Sequence, residues 1–177
     1  MGKDKSCCFF GHRKIDATPE LIERLKIELE TLITEKDVNT FYFGSKSEFN
    51  TLCLKIVTDL KEKHSHIKRI YVRSSFPDIS DSYKSYLLER YEETYFPEKL
   101  RGAGKACYVE RNQEMINNSK FCVIYYDEYY TPPRRKNSRR EATDHQAKSG
   151  TAIAYDYAIN KGLLITNVFL KKAIQEN

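Results

Sequence analysis

The sequence predicts a single α/β domain in which a parallel sheet carries helices on both faces. Short apolar blocks, each suited to a buried strand, alternate along the chain with stretches that repeat apolar residues at helical spacing. Several of these blocks end at glycine or at polar residues, as strands do where they turn into helices. The 177 residues are enough for one well-cored domain and too few for two, so we expect one domain spanning residues 1–177.

The first part of the chain alternates regularly between strands and helices. Apolar blocks predict strands at 6–10, 40–43 and 67–72, and helical spacing predicts helices at 18–36 and 47–63. Thr18 followed by Pro19 is a typical helix start, because threonine caps the helix and proline fits its first turn. Ser47 can cap the second helix in the same way. This order of elements is the pattern of a parallel sheet.

The second part of the chain combines regular elements with two irregular segments. Its predicted elements are helices at 109–118 and 150–159, strands at 121–125 and 163–167, and a terminal helical turn at 169–174. Residues 78–105 form an aromatic-rich excursion with one short helix, which either packs on its own domain, caps the sheet edge or serves self-association. Two prolines and a run of charges predict a mobile basic loop at about 130–147.

The composition leads us to expect a cytoplasmic protein that does not contact a membrane. No apolar run approaches the ~20 residues that span a bilayer, and the charged start of the chain leads us to expect no secretory signal. Five cysteines without a CxxC pair indicate free thiols buried in a reducing compartment. The four histidines are not spaced as metal ligands, so we expect neither a metal nor a cofactor.

The positive charge of the chain is modest and local. The formal net charge is +5, and five of the basic residues fall within 134–140. A nucleic-acid-binding domain usually carries a basic face across much of its surface. We therefore do not expect nucleic acid as a partner.

Three junctions combine the end of an apolar strand, or the start of a helix, with glycine and polar residues. They are centred on Gly11, Gly44 and Gly150. Ligands of open parallel sheets bind beyond the carboxyl ends of the strands, so we expect these junctions along one edge. Amide groups at glycine turns and helix starts attract phosphate. The predicted ligand-binding residues are Gly11, His12, Arg13, Gly44, Ser45, Ser74, Arg111, Asn112, Ser149, Gly150 and Thr151.

Several of these residues also have an ordinary structural explanation. Arg13 offers a forked pair of donors to phosphate, or it is a solvated residue of a βα turn. His12 donates a hydrogen bond to a ribose or phosphate oxygen, or it caps a backbone carbonyl. The strongest candidate is Ser149-Gly150-Thr151, because a helix that opens with Gly-Thr-Ala favours close approach of an anion over helix propensity.

Arg111 lies at the predicted start of a helix, where the helix dipole disfavours a cation. An anionic ligand beside Arg111 would resolve the conflict. A salt bridge to Glu110 or Glu114 would resolve it too, and the sequence leaves both explanations open.

Taken together, these junctions resemble the SLOG superfamily, a Rossmann-like group that includes the DNA-processing protein Smf/DprA and the LOG phosphoribohydrolases. The small YpsA-like branch of bacteria and phages is the most similar. The resemblance spans about residues 7–167. It is carried by Phe10-Gly11-His12-Arg13, Phe43-Gly44-Ser45, Glu110 to Met115, Phe121 to Asp127 and Ser149-Gly150-Thr151. It implies a Rossmann-like fold that binds nucleotides or nucleotide-derived ligands in a cleft.

The resemblance also bears on catalysis. LOG enzymes carry a Pro-Gly-Gly-x-Gly-Thr-x-x-Glu motif that cradles phosphate and supplies a catalytic glutamate. The matching segment here keeps Gly150-Thr151 but has Ala154 where the glutamate would lie. Alanine cannot act as a base or stabilise an oxocarbenium-like transition state. We therefore expect phosphate binding to survive, and hydrolysis only if Asp127, Glu128 or Asp156 replaces the glutamate.

Three functions are compatible with these residues. The leading hypothesis is that the chain senses or sequesters a nucleotide-derived small molecule, such as an ADP-ribose-like or nucleoside-phosphate species. The second is an N-glycosidic hydrolase of nucleotides. Its candidate catalytic residues are Arg111, Asp127 and Glu128, and Arg111 matches an arginine of the LOG enzymes. The third, single-stranded DNA binding through 134–140, lacks aromatic residues interleaved with the basic run. Self-association as a homo-oligomer is a further alternative.

Overall fold

Residues 2–131 and 148–170 are described by the structure, a computed structural model, and they form a six-stranded parallel sheet with five α-helices. The strands are β1 (Ser6–Gly11), β2 (Thr40–Phe43), β3 (Lys68–Val72), β4 (Glu93–Tyr95), β5 (Phe121–Tyr125) and β6 (Leu164–Asn167). The helices are α1 (Pro19–Thr34), α2 (Glu48–Lys63), α3 (Asp81–Leu88), α4 (Cys107–Asn117) and α5 (Gly150–Asn160). The strand order is β4-β3-β2-β1-β5-β6, which confirms the predicted Rossmann-like α/β class.

Helices cover both faces of the sheet, as predicted. Because successive side chains of a strand point to opposite faces, β1 buries Cys7 and Phe9 on one face and Cys8 and Phe10 on the other. Helices α1 and α2 pack on the first face, and α4 and α5 pack on the second. The central strands are therefore apolar along their whole length, which is typical of parallel sheets.

Helices α1 and α2 begin at the caps that the sequence predicts. The Thr18 hydroxyl accepts a hydrogen bond from the Leu21 N–H at 3.2 Å, and Ser47 accepts one from the Asn50 N–H at 3.2 Å. Such a cap satisfies a backbone donor that the first helical turn leaves free, and it contributes about 1 kcal/mol of stability.

The excursion at 78–105 contains a strand that the sequence analysis missed. Strand β4 pairs in parallel with β3, and the Arg73 N–H donates to the Tyr95 carbonyl at 2.9 Å just beyond that pairing. On the preceding helix α3, the rings of Tyr83 and Tyr86 stack on each other and remain exposed. The excursion therefore extends the sheet and also leaves an aromatic surface exposed.

The remaining differences concern the ends of elements. Helix α4 begins at Cys107, two residues before its predicted start. The predicted basic loop and the predicted terminal turn lie mostly outside the described residues. No helix within 2–131 or 148–170 is long and apolar enough to cross a membrane.

The cysteines of the chain are free thiols, and Cys7, Cys8, Cys53 and Cys122 are buried, as predicted. Burial raises the pKa of the Cys7 and Cys53 thiols. The fifth, Cys107, is half-buried at the start of α4.

The connections of the sheet reverse direction between β1 and β5. β1 leads through α1 to β2 on one side, and β5 pairs with β1 on the other side. In open parallel sheets this reversal creates a crevice at the carboxyl ends of the strands, where ligands bind. The carboxyl edge is therefore the part of the fold in which a site is expected.

Candidate functional site

The predicted ligand-binding residues lie in segments that follow strands or open helices at the carboxyl edge. His12 and Arg13 follow β1, Gly44 and Ser45 follow β2, Ser74 lies just beyond β3, and Ser149, Gly150 and Thr151 open α5. Two hydrogen bonds join candidate residues that are distant in sequence. One links Arg111 to Gly44, and the other links Asp127 to His12.

Arg111 is a buried cation at this edge. Its side chain is 4% exposed, its Nη1 group donates to the Gly44 carbonyl, and its Nε group donates to Asn112 Oδ1 at 2.9 Å. Among the described residues no carboxylate forms an ion pair with Arg111. Burial lowers the pKa of the Arg111 guanidinium. Because an unneutralised buried charge is costly, this guanidinium is a candidate receptor for an anion.

The salt bridges offered as alternatives for Arg111 are not formed within the described part of the chain. Glu114 instead binds Lys99, whose Nζ lies 2.6 Å from Glu114 Oε2. Arg111 also does not lie at the start of the helix as predicted, because α4 begins at Cys107 and Arg111 is in its second turn. The helix dipole acts mainly within the first turn, so burial rather than the dipole sets the electrostatic problem at Arg111.

The position of the Arg111 side chain requires glycine at position 44. A Cβ atom at position 44 would lie 2.7 Å from both Cδ and Nη1 of Arg111. Glycine is therefore the residue that lets the guanidinium reach the backbone at the end of β2. Ser45, next in the chain, uses its hydroxyl to accept a hydrogen bond from the Ser47 N–H at 3.1 Å.

His12 spans the crevice between β1 and β5. Its ring is 2% exposed, its Nε2 atom accepts a hydrogen bond from the Asp127 N–H at 3.0 Å, and the Tyr130 ring stacks on it at 3.8 Å between centroids. This contact at Nε2 was not predicted, and it leaves Nδ1 as the atom that could make the predicted hydrogen bond to a ribose or phosphate oxygen. In the neutral ring Nδ1 then carries the proton, and it has no hydrogen-bond partner among the described residues. Burial lowers the pKa of His12.

Gly11 and Arg13 have structural roles in the turn after β1. A Cβ atom at Gly11 would collide with the Phe49 ring, so packing of α2 requires glycine there. Arg13 is exposed, and its carbonyl accepts a hydrogen bond from the Glu48 N–H at 3.0 Å. These contacts fasten the turn to α2 whether or not a ligand is present.

The start of α5 is open. The Ser149 hydroxyl caps the helix by accepting from the Ala152 N–H at 3.1 Å, and apart from the chain neighbours of Gly150 and the backbone of α5 no described atom lies within 4 Å of the position where a Cβ of Gly150 would be. Thr151 is buried at the same turn. Because α5 packs beside α4 and both precede parallel strands, their first turns lie at the carboxyl edge.

A cavity that the sequence analysis missed lies further along this edge. It has a volume of about 450 Å³ and is lined by residues after β3, among them Ser74 and Phe76, and by the segment that leads into α4, including Gly102 and Cys107. In the sequence, the signal for this irregular wall is the pair of glycines at 102 and 104. Both adopt a positive φ in the structure. A second cavity, of about 340 Å³, lies between α1 and the strands β5 and β6.

The fold and this edge define a class: an open parallel α/β domain with a buried cation and an open helix start where such sheets bind ligands. Comparison with protein-family models and with curated proteins finds no match. The resemblance to SLOG proteins therefore stays a prediction. The function of the chain is inferred from the geometry of the carboxyl edge.

Proposed function

We propose that the chain binds a phosphate-bearing, nucleotide-derived small molecule at the carboxyl edge, and senses or sequesters it as a YpsA-like member of the SLOG superfamily. The observation that carries this proposal is the buried Arg111 guanidinium beside Gly44, which no described carboxylate neutralises. A buried ion is tolerated when it is paired, so an anionic group of a ligand is the partner that Arg111 needs.

The start of α5 supports the same proposal. A helix N-terminus carries roughly half a unit of positive charge, and the open space at Gly150 allows phosphate to approach the first amide groups closely. Ala154, which stands where LOG enzymes have a glutamate, is 2% exposed and packs in the core. This residue offers no acid or base, which favours binding over hydrolysis.

The direct test is a thermal-shift panel of nucleoside monophosphates, cyclic nucleotides and ADP-ribose, repeated on Gly150→Asp and on its isosteric control Gly150→Asn. We expect at least one nucleotide to raise the Tm of the wild type and of Gly150→Asn. Gly150→Asp should abolish that shift, because a carboxylate would occupy the space for phosphate. Without ligand the aspartate variant should be as stable as the asparagine variant or more so, since an acidic residue favours the first helical turn.

Two results would count against the proposal. If no nucleotide shifts the Tm of the folded protein, the chain is not a nucleotide-binding protein. If Gly150→Asp responds like Gly150→Asn, the phosphate does not bind at α5.

A hydrolase is the second candidate, and the position of Asp127 favours it. His12 accepts from the Asp127 N–H, which holds this carboxylate-bearing residue beside the crevice. Its Oδ1 atom accepts a hydrogen bond from the Tyr129 N–H at 3.0 Å. Chromatographic detection of free base after incubation with nucleoside monophosphates would establish turnover, and binding without free base would leave the sensing function.

The single-stranded DNA hypothesis draws no support from the described residues, because its basic run at 134–140 lies outside them. Self-association through the exposed tyrosines of α3 stays a proposal.

A further inference from the structure

The cavity beside β3 is wide open to solvent, and its volume and its place at the carboxyl edge suit a ligand site. Its volume of about 450 Å³ falls within the range of roughly 300–1,000 Å³ that is typical of small-molecule pockets. One wall follows β3, at the carboxyl edge, and the opposite wall leads into α4. The cavity therefore opens on the same edge as Arg111 and α5.

The wall after β3 presents an aromatic ring. Phe76 is 72% exposed and has a φ of 58°, a left-handed conformation that bulky residues rarely adopt. The Arg73 guanidinium holds this turn by donating to the carbonyls of Phe76, at 2.7 Å, and Pro77, at 3.2 Å. Because the Phe76 ring is exposed, it does not contribute to packing of the core and does not offset the strain of its backbone. Such backbone strain is concentrated at functional sites. Phe96 adds a second aromatic side chain to the lining.

Helix α4 connects the lining of the cavity to Arg111. Cys107 lines the cavity, and Arg111 follows it four residues later on the same helix. Side chains four residues apart on a helix lie on one face, with about 5–6 Å between their Cβ atoms. A cavity with two aromatic side chains in its lining thus includes a residue one helical turn from Arg111, a cation that no described carboxylate neutralises.

We infer that this cavity binds the base of the nucleotide-derived ligand, with Phe76 stacking on the base while Arg111 and the start of α5 receive the phosphate. The inference rests on the proposed function and deepens it, because it makes an aromatic nucleobase a requirement for tight binding. Ser74 and Ser75 supply hydroxyl groups that can hydrogen-bond to the base edge.

The test compares AMP with ribose 5-phosphate, which has the same sugar and phosphate but no base, by calorimetric titration of the full chain. The wild type should bind AMP at least tenfold more tightly than ribose 5-phosphate. Phe76→Ala should remove most of that advantage, weakening AMP about tenfold, because base–aromatic stacking has about this effect. Its affinity for ribose 5-phosphate should not change.

Two further variants sharpen the comparison. Phe76→Gly removes the ring but suits the left-handed backbone, so the same loss in both variants assigns the effect to the ring rather than to the turn. Tyr86→Ala removes an exposed tyrosine of α3 outside the cavity lining and should leave both affinities unchanged.

The outcomes separate the inference from the proposed function. Equal affinity of the wild type for AMP and ribose 5-phosphate, or equal weakening of both by Phe76→Ala, overturns the base cavity and leaves phosphate binding standing. Failure of both probes to bind at millimolar concentration overturns the inference, and the proposed function falls with it only if the nucleotide panel also gives no shift in Tm.

Discussion

At the residue scale, Gly44 and Arg111 depend on each other across the sheet edge. We predict that Gly44→Ala destabilises the chain by about 1–3 kcal/mol, the usual cost of overpacking a filled site. The new Cβ would lie 2.7 Å from Arg111 Cδ and Nη1, so the guanidinium must move away from the Gly44 carbonyl. Urea unfolding measures the change in the free energy of unfolding.

Gly150→Ala is the matched control for this substitution. A new Cβ at position 150 would meet no described atom within 4 Å beyond its chain neighbours and its own helix backbone, and the position is the first residue of a helix. Alanine there should be neutral or slightly stabilising. Equal stabilities of the two alanine variants would show that Arg111 does not need glycine at position 44.

His12 should make the stability of the domain depend on pH. Burial lowers the pKa of folded His12 below the ordinary value of 6.5, although the nearby Asp127 carboxylate opposes this. Below about pH 6.5 the unfolded chain binds a proton that folded His12 does not, so the free energy of unfolding falls as the pH falls through the folded pKa. His12→Phe, which keeps a ring but cannot titrate, should show a shallower decline in urea unfolding between pH 7.5 and 5.

The exposed His66 provides the comparison. His66→Gln removes an imidazole from the surface, and it tests whether a change in the pH dependence is specific to position 12. A wild-type slope in His12→Phe would show that the ring at position 12 is not protected from protonation in the folded state.

The sequence identified Gly44, Arg111 and His12 as site candidates but not their contacts. Gly44 and Arg111 are 67 residues apart, and His12 and Asp127 are 115 apart. A local sequence pattern indicates where a strand ends or where a cation lies. The residue that each candidate contacts depends on the packing of the whole sheet. The close contacts of Gly11 with Phe49 and of Gly44 with Arg111 therefore could not be predicted from the sequence.

At the element scale, the turn after β3 stores backbone strain at Phe76. We predict that Phe76→Gly is more stable than Phe76→Ala by about 1 kcal/mol, because only glycine adopts a φ of 58° without a steric penalty. Thermal and urea unfolding of the two variants measure the difference. Equal stability would mean that the turn relaxes once the ring is removed.

Helix and strand predictions succeeded where the signal is local. Thr18 and Ser47 cap α1 and α2 because a hydroxyl at a helix start acts within three residues. β4 was missed because its Glu-Thr-Tyr sequence has no apolar block, and its backbone pairing with β3 forms it. A three-residue edge strand carries too little pattern to be distinguished from a loop.

At the scale of the whole molecule, the candidate site follows from topology. In a parallel sheet every strand ends at the same edge, so turns distant in sequence are gathered there. The alternation of strands and helices was therefore enough to predict the edge at which the candidate residues lie. The cavity beside β3 was not predictable in this way, because its far wall is formed by the short segments between β4 and α4.

The stability of the whole domain should depend on phosphate through Arg111. A ligand that binds only the folded state at a hundred times its Kd adds about 2.7 kcal/mol, which corresponds to a rise in Tm of about 5–10 °C for a domain of this size. We predict that inorganic phosphate raises the Tm of the wild type more than that of Arg111→Met. The methionine variant keeps much of the buried volume but has no charge to neutralise.

Phosphate also stabilises folded proteins without binding a site, because it is excluded from their surfaces. The informative quantity is therefore the difference between variants at one phosphate concentration. Arg90→Met is the control, since Arg90 is exposed and lies three residues before β4, at the opposite edge of the sheet; its Tm should rise with phosphate as the wild type does. If Arg111→Met rises equally, the buried guanidinium does not receive an anion, and the site loses the group on which phosphate binding was argued.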